Sequence, residues 1–425
     1  MSIAVLRLKP QEERRLRAGH AWVYSNEIDT AQTPLKPLAP GTLVRLEDAR
    51  GRPLGTAYVN PHALLCARLL TGQPDAVIDA DWFVRRLRAA ASLRERIYAR
   101  PFYRLVYGEA DGVPGLVIDR YGDVFVVQLG TAGMENLKAP LLAAIEQEFQ
   151  PRGIVLRNDS PSREAEGLAL YVEDIGDVPE QVVIDEGGVA FEIALRGGQK
   201  TGWFFDQRDN RDRLARYVKG APGKVSVLDA FSYVGAWALR ALGLGAAEAT
   251  CIDSSAAALE AATRNAARNG MRIETIKAQA LDALKQLASD GRRFDIVIVD
   301  PPALIKRKKD HAEGLGLYGR LNRAALNLLT PGGVLVSCSC SHHLEPAELQ
   351  RVLLRESRAV GHPLVILEQG GQGPDHPVHP AIPETRYLKA FFCATRPQDS
   401  GMASTSAQNR SAAEPDLDGS APPAT

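Results

Sequence analysis

Three carboxylates stand where apolar runs stop: Asp229 closes KVSVLDA, Asp253 closes ATCID, and Asp282 follows RIETIKAQAL. Runs of this kind read as buried strands of a parallel sheet, and such sheets bind ligands beyond the carboxyl ends of their strands. At that edge Asp253 is placed to accept both ribose hydroxyl protons, and Asp282 to meet an adenine amino group. The FSYVG turn after Asp229 (Phe231, Ser232, Tyr233, Gly235) is open enough for close approach of a nucleoside. A single Asp at a strand end is more often a helix cap. Three at successive ends point to a nucleoside cofactor. The turn lacks GxGxxG, which disfavours a pyrophosphate-bearing dinucleotide. S-adenosylmethionine carries no phosphate and fits.

A fourth run, FDIVIVD, ends in Asp300-Pro301-Pro302, where the prolines fix the backbone as it leaves the sheet and pin the carboxylate in the crevice. A fifth delivers Ser337-Cys338-Ser339-Cys340-Ser341-His342 to the same edge. A thiol there is a candidate nucleophile, and an inert buried cysteine is the alternative. Period-two geometry puts Cys338, Cys340 and His342 on one face, but no CxxC or HxxxH supports a metal, and none is expected. Upstream, Gly198 to Arg208 reads as a loop wrapping a ligand rather than as core. Its aromatics Trp203, Phe204 and Phe205 pack either on cofactor or base or in a core. DHPVHP reads as a rigid surface loop. The candidate cofactor residues are therefore Lys200, Thr201, Phe204, Asp206, Gln207, Arg208, Asp229, Phe231, Ser232, Tyr233, Gly235, Asp253, Ser254, Asp282, Asp300 and Pro301.

These residues are positioned by a strand–helix alternation that starts at Lys224. GAWALRALGLG, SAAALEAATRNAARNG, LDALKQLAS and GLYGRLNRAALNLL are the helices between the strands. Such alternation implies a mostly parallel sheet with helices on both faces. The chain before it is built differently. Residues 1–75 alternate short apolar runs with Gly and Pro, as a small β-rich module does. TGQPDAVID is a linker, and WFVRRLRAAASLRERIYA has helical spacing with its arginines on the polar face. Residues 76–195 read as an α+β module, 196–396 as the catalytic α/β domain, and 397–425 as a disordered tail without periodicity.

At 425 residues two or three domains are expected, and 45% hydrophobic with 24% charged residues is ordinary for a globular protein. No apolar run is long enough to span a bilayer, the first residues have no signal core, and the five scattered cysteines suit reduced thiols. A cytoplasmic location is expected, with no membrane partner. With 51 basic against 51 acidic side chains, attraction to phosphate must come from local patches. Basic residues cluster at Arg14, Arg15 and Arg17, at Arg85, Arg86 and Arg88, and at Lys306, Arg307, Lys308 and Lys309. Most such runs are simply solvated faces.

GGQKTGWFFDQRDNR, LDAFSYVGAWAL, VDPPALIKRKKD, SCSCSHH and DHPVHPAIPETRYLKAFF, in that order, resemble the RlmI-type methyltransferases of bacterial large-subunit rRNA. LKPQEERRLRAGHAWVYSNEI resembles their N-terminal PUA domain, an RNA-binding β-barrel, and YRLVYGEADGVPGLVIDRYGD their middle α+β domain. The similarity runs from about residue 3 to 395. It implies a PUA-like barrel, a middle α+β domain and a Rossmann-like class I methyltransferase domain. The implied activity is S-adenosylmethionine-dependent formation of 5-methylcytosine in 23S rRNA or a large-subunit precursor. The family's nucleophile falls on Cys340, with Cys338 a neighbour. His342-His343 departs from the Gly and apolar residue frequent in relatives.

For that chemistry a cysteine adduct at carbon 6 raises electron density at carbon 5. Asp300 suits recognition, since a carboxylate accepts from the exocyclic amine of cytosine, where uracil presents an acceptor. Arg14, Arg15, Arg17 and Lys306 to Lys309 are the candidates for RNA phosphates. Rival readings are a same-fold enzyme acting on a base nitrogen, a non-catalytic RNA-binding assembly factor and, least favoured, a nicotinamide dehydrogenase. The target nucleotide, the base that removes the carbon-5 proton and the oligomeric state (a homodimer included) are not fixed by sequence.

Overall fold

The computed structural model describes residues 3–198, 201–221 and 223–396. Lys200 and the segment 397–425 lie outside the described residues. The described residues form three sheets of five or more strands and one hairpin. The first sheet contains β1 (Ala4–Arg7), β2 (Trp22–Tyr24), β3 (Thr42–Glu47), β4 (Pro53–Val59) and β5 (Leu65–Thr71), in the order β1-β3-β4-β5-β2. A short helix, α1 (Glu13–Arg17), lies between β1 and β2. Ala57 and Val59 of β4 point into one core with Leu6, Val23 and Val44, and a register irregularity opposite Val23 and Tyr24 lets the consecutive Cys66 and Ala67 of β5 both join it.

Asp79 starts α2 (Ala80–Glu95) by accepting from the backbone N–H of Trp82. The second sheet follows: β6 (Phe102–Tyr107), β7 (Leu116–Tyr121), β8 (Val124–Leu129), β9 (Gly153–Asn158) and β10 (Tyr171–Gly176), in sequential order reversed across the sheet. Two helices, α3 (Ala132–Asn136) and α4 (Lys138–Phe149), connect β8 to its parallel neighbour β9. One arginine of α2 departs from the expected polar face. Arg94 is 1% exposed, bound to Asp111 at 2.5 and 2.7 Å, and donates to the carbonyl of Asp375. A buried guanidinium is tolerable only with such complete pairing. It fastens the middle sheet to the DHPVHP segment, which is consequently not a free surface loop, as Asp375 and His376 are both buried. The hairpin β11 (Gln181–Glu186) and β12 (Val189–Ala194) comes next.

The last sheet has seven strands. Its parallel part is built from β13 (Ser226–Ala230), β14 (Glu248–Asp253), β15 (Glu274–Lys277), β16 (Phe294–Val299) and β17 (Leu329–Ser339). Its helices are α5 (Arg208–Val218), α6 (Ala236–Gly243), α7 (Ala256–Arg268), α8 (Ala280–Ser289), α9 (His311–Leu326) and α10 (Pro346–Ala359). Two antiparallel strands, β18 (Leu364–Gly370) and β19 (Lys389–Thr395), complete the order β15-β14-β13-β16-β17-β19-β18. The sheet is mostly parallel and doubly wound. In β16, Phe294, Ile296, Val297, Ile298 and Val299 are all at most 1% exposed, and each such side chain contributes about 1.5–3 kcal/mol by burial. The strand order reverses at β13, and the cavity described next opens beside it.

Candidate active site

The FSYVG turn leaves β13 in a conformation few residues adopt. Phe231 and Tyr233 have φ of 66° and 48°, and Gly235, which starts α6, has 80°. Left-handed backbone at a non-glycine costs about 1–3 kcal/mol and persists only where the surroundings enforce it. Here Asp253 enforces it: Oδ2 accepts from the Tyr233 N–H and Oδ1 from the Ser255 N–H, both at 2.9 Å. The turn thereby lines a cavity of about 370 Å³ with Phe231, Ser232, Tyr233, Ala236 and Trp237. Asp253, Ser254, Gln279, Asp300, Pro301, Pro302, Ala303, Cys340 and Leu388 complete it with Trp203, Phe204, Asp206, Gln207 and Arg211. Gly235 shapes the turn without bordering the cavity.

The segment before α5 divides its residues between cavity and core. Phe204 faces the cavity, edge-on to Tyr233 with ring centroids 5.6 Å apart. Phe205 is core against Tyr121, and Trp203 is buried against Phe191 while also bordering the cavity. The expectation of a ligand-wrapping loop rather than core therefore holds for only part of it. Asp206 accepts from the Tyr387 hydroxyl at 2.5 Å. Gln207 donates through Nε2 to both oxygens of Asp300 at 2.9 Å, and Trp237 Nε1 donates to one of them at 3.1 Å. Two sequence candidates turn away. Thr201 is fully buried against Asp119, and Arg208 lies over the Tyr98 ring and donates to the Phe102 carbonyl. Arg211, not anticipated, lines the cavity while bound to Glu186 at 2.5 and 2.8 Å.

Cys338 and Cys340 differ because the strand stops between them. Cys338 is fully buried, and burial pushes its thiol well above the ordinary range. Cys340 is the first residue past β17, half-buried, with Sγ 4.0 Å from the Pro301 carbonyl oxygen. The Tyr318 hydroxyl hydrogen-bonds Ser339 and Ser341 at 2.7 and 3.0 Å, and Ser341 Oγ accepts from the Ile305 N–H. That network grips the chain on both sides of the thiol. The shared face expected for Cys338, Cys340 and His342 is broken by the strand end. Among the described residues no group of three His, Cys, Asp or Glu side chains is arranged to hold a metal ion.

Asp282 is exposed in the first turn of α8 and does not border the cavity. Gln279, just before that helix, does, so the polar side chain that reaches the cavity at this strand end is an amide and not a carboxylate. Asp229 is fully buried and accepts from the Ala238 N–H at 3.2 Å, while its Oδ1 has no protein donor. Burial, together with the charges of Asp300 and Asp253, raises its carboxyl to about 8. A cavity walled by aromatics and by the carboxylates of Asp206, Asp253 and Asp300 suits a ligand carrying positive charge and donors. S-adenosylmethionine has both, in its sulfonium and its ammonium. Asp253 has the acceptor capacity for a ribose diol.

Past Cys340 and Ala303 the cleft widens into a second chamber of about 1000 Å³. Its walls come from strands of the first and second sheets and from loops of the second and third: Trp22, Tyr107, Gln128, Arg157, Ser160, Lys306, His342 and His343 among others. No sequence pattern revealed this wall, since its residues are far apart in the chain. The basic candidates fare unequally. Lys306 borders the chamber, Lys308 and Lys309 are exposed, and Arg307 pairs with Asp310. Arg14 is exposed, whereas Arg15 and Arg17 are held by Glu27 and Asp48 at 2.6 and 3.0 Å.

A PUA-like domain model matches residues 6–72, and an S-adenosylmethionine-dependent methyltransferase model matches residues 148–391. The ribosomal RNA large subunit methyltransferase I of Erwinia tasmaniensis is 35% identical over 401 residues, covering 92% of this chain and 99% of the relative. Its counterpart from Shewanella denitrificans is 36% identical over 394 residues, covering 91% and 98%. In fold, the chain is similar to a crystal structure of a methyltransferase complexed with SAH, with TM-score 0.77 and 21% identity over 92% of this chain and 100% of that one. A Streptococcus mutans S-adenosylmethionine-dependent methyltransferase gives TM-score 0.75 at 20% identity, covering 92% and 100%.

Proposed function

Because the chain belongs to the family of S-adenosylmethionine-dependent methyltransferases that includes the ribosomal RNA large subunit methyltransferase I proteins, we propose that it methylates carbon 5 of a cytosine in 23S rRNA, with Cys340 as nucleophile. The observation that carries the proposal is the position of Cys340. Its thiol and the Asp300 carboxylate line one cavity, and that cavity adjoins a chamber wide enough for a nucleotide. An enzyme methylating a base nitrogen has no use for a thiol at that junction.

In this reading Asp253 holds the ribose hydroxyls of the cofactor, flanked by Phe231, Ser254 and Gln279, and Phe204, Asp206 and Ser232 border the remainder. S-adenosylmethionine, when bound, supplies an electrophilic methyl group. The target base must be unstacked to enter, at a cost of a few kcal/mol if it was paired. Asp300, oriented by Gln207 and Trp237, accepts from the exocyclic amine and discriminates against uracil by about 1–3 kcal/mol. The Cys340 thiolate adds to carbon 6, forming a C–S bond and making carbon 5 nucleophilic. Loss of the carbon-5 proton later lets the C–S bond break and returns the thiolate. Lys306, Lys308 and Lys309 are placed for phosphates flanking the extruded nucleotide.

The test is an RNA carrying 5-fluorocytidine at the modified position, which has no carbon-5 proton to lose. A denaturation-resistant protein–RNA adduct, formed with S-adenosylmethionine and absent in Cys340→Ala, is expected. Methyl transfer to that RNA without any adduct would assign the chemistry to a base nitrogen. A chain that neither binds S-adenosylmethionine nor transfers methyl would be an RNA-binding assembly factor.

A further inference from the structure

Lys389 opens β19, directly opposite Ser339 in the antiparallel pairing of β17 and β19. It is 6% exposed, and its Nζ donates to the carbonyl of Ser341 at 2.6 Å. That carbonyl belongs to the residue after Cys340, so the amino group sits against the backbone that presents the thiol. An amine is seldom buried without a function or a counter-charge. We propose that Lys389 is the positioning residue that takes the Cys340 proton and holds the nucleophile as a thiolate. The inference rests on the role of Cys340 given above.

The exchange is balanced. The S–H bond of Cys340 breaks, an N–H bond forms on the neutral amine of Lys389, and a neutral pair becomes an ion pair. Burial pushes Lys389 down to about 8, while the Cys340 thiolate works in the opposite direction, as does Glu345. The amine thus titrates close to an ordinary thiol, which makes it a matched proton acceptor. Four other groups near the site do not supply this charge. Asp300 lines the same cavity and opposes a second anion. Tyr318 from α9 and Cys338 from β17 are both raised by burial and stay neutral near pH 7. Arg211 is committed to Glu186.

The readout is alkylation of Cys340 by iodoacetamide in the full chain, followed by peptide mass spectrometry from pH 5.5 to 9.5. The other four cysteines are buried, so the signal is that of Cys340. Lys389→Met is expected to slow alkylation about tenfold at pH 7 and to move the pH profile upward. Lys389→Gln, which keeps a donor without the charge, should do the same, which separates charge from simple support of the loop. Lys389→Arg should keep the rate within about threefold and leave the profile in place or shift it to lower pH. Each variant decides separately: a wild-type profile in Met or Gln, or an upward shift in Arg, overturns the proposal. The readout needs no methyl transfer, so failure of the 5-fluorocytidine trap and failure here are distinguishable.

Discussion

At the scale of single residues, Asp253 and Asp229 illustrate two different uses of a carboxylate at a strand end. Asp253 is tied to the backbone of Tyr233 and Ser255 and still faces the cavity, so it shapes the turn and, in the proposed reading, offers acceptors to a ribose. Losing charge-assisted hydrogen bonds of this kind costs about 1.5–3 kcal/mol. Asp253→Ala is accordingly expected to weaken S-adenosylmethionine binding about 10- to 100-fold by calorimetry; unchanged affinity would remove Asp253 from the cofactor site. Asp229 stands beneath the cavity, raised to about 8 by burial. In the unfolded chain an Asp titrates near 4, so the folded state holds more protons between these values. The stability it contributes is present below about pH 4 and is lost as pH rises through about 8. In the protein without cofactor, Asp229→Asn should flatten the fall in melting temperature between pH 5 and 9. An unchanged slope would contradict the buried, protonated state. Both residues were legible in the sequence because strand ends are legible. Asp282 was not, since one helical turn decides whether position 279 or 282 meets the cavity, and composition cannot resolve that.

At the scale of elements, the end of β17 is what separates a fully buried cysteine from a half-buried one that lines the cavity. Period-two spacing treats Cys338 and Cys340 alike, and only the termination at Ser339 distinguishes them. The strand end is held by Tyr318 from α9, whose hydroxyl serves Ser339 and Ser341 together. Tyr318→Phe would leave two buried serine hydroxyls short of a partner, at about 1–3 kcal/mol. Denaturant unfolding should register that loss, along with reduced methyl transfer at unchanged S-adenosylmethionine affinity. A variant as stable as wild type would show the network to be dispensable. Strands β13, β14, β16 and β17 follow from apolar runs bounded by turn residues, whereas the short edge strand β15 is mostly polar and exposed. Strands β18 and β19 do not announce themselves the same way, because YLKAFFCAT is as compatible with other pairings until β17 is present as a template. Lys389, on β19, was missed for that reason.

At the scale of the whole molecule, strands of the first two sheets and loops of the third meet at one chamber: Trp22 from the first, Tyr107, Gln128 and Arg157 from the second, and the 303–306 and 342–343 loops of the third. Buried pairs fix that arrangement. Tyr58 of β4 donates to the Pro114 carbonyl, Arg68 pairs with Glu166, and Arg94 reaches Asp375. Such contacts join positions that sequence periodicity cannot relate, which is why the basic runs were visible while the wall they border was not. If Lys306, Lys308 and Lys309 contact phosphates, replacing all three by alanine should reduce the slope of log affinity against log salt by up to about 2, at roughly 0.7 per contact for single-stranded RNA. An unchanged slope would place the RNA elsewhere.

The most direct test of the central claim is nucleoside mass spectrometry of large-subunit rRNA from a deletion strain, rescued with wild-type protein or with Cys340→Ala. Loss of one 5-methylcytidine, restored by wild type and not by Cys340→Ala, is the predicted result. An unchanged 5-methylcytidine content, or full rescue by Cys340→Ala, would contradict it.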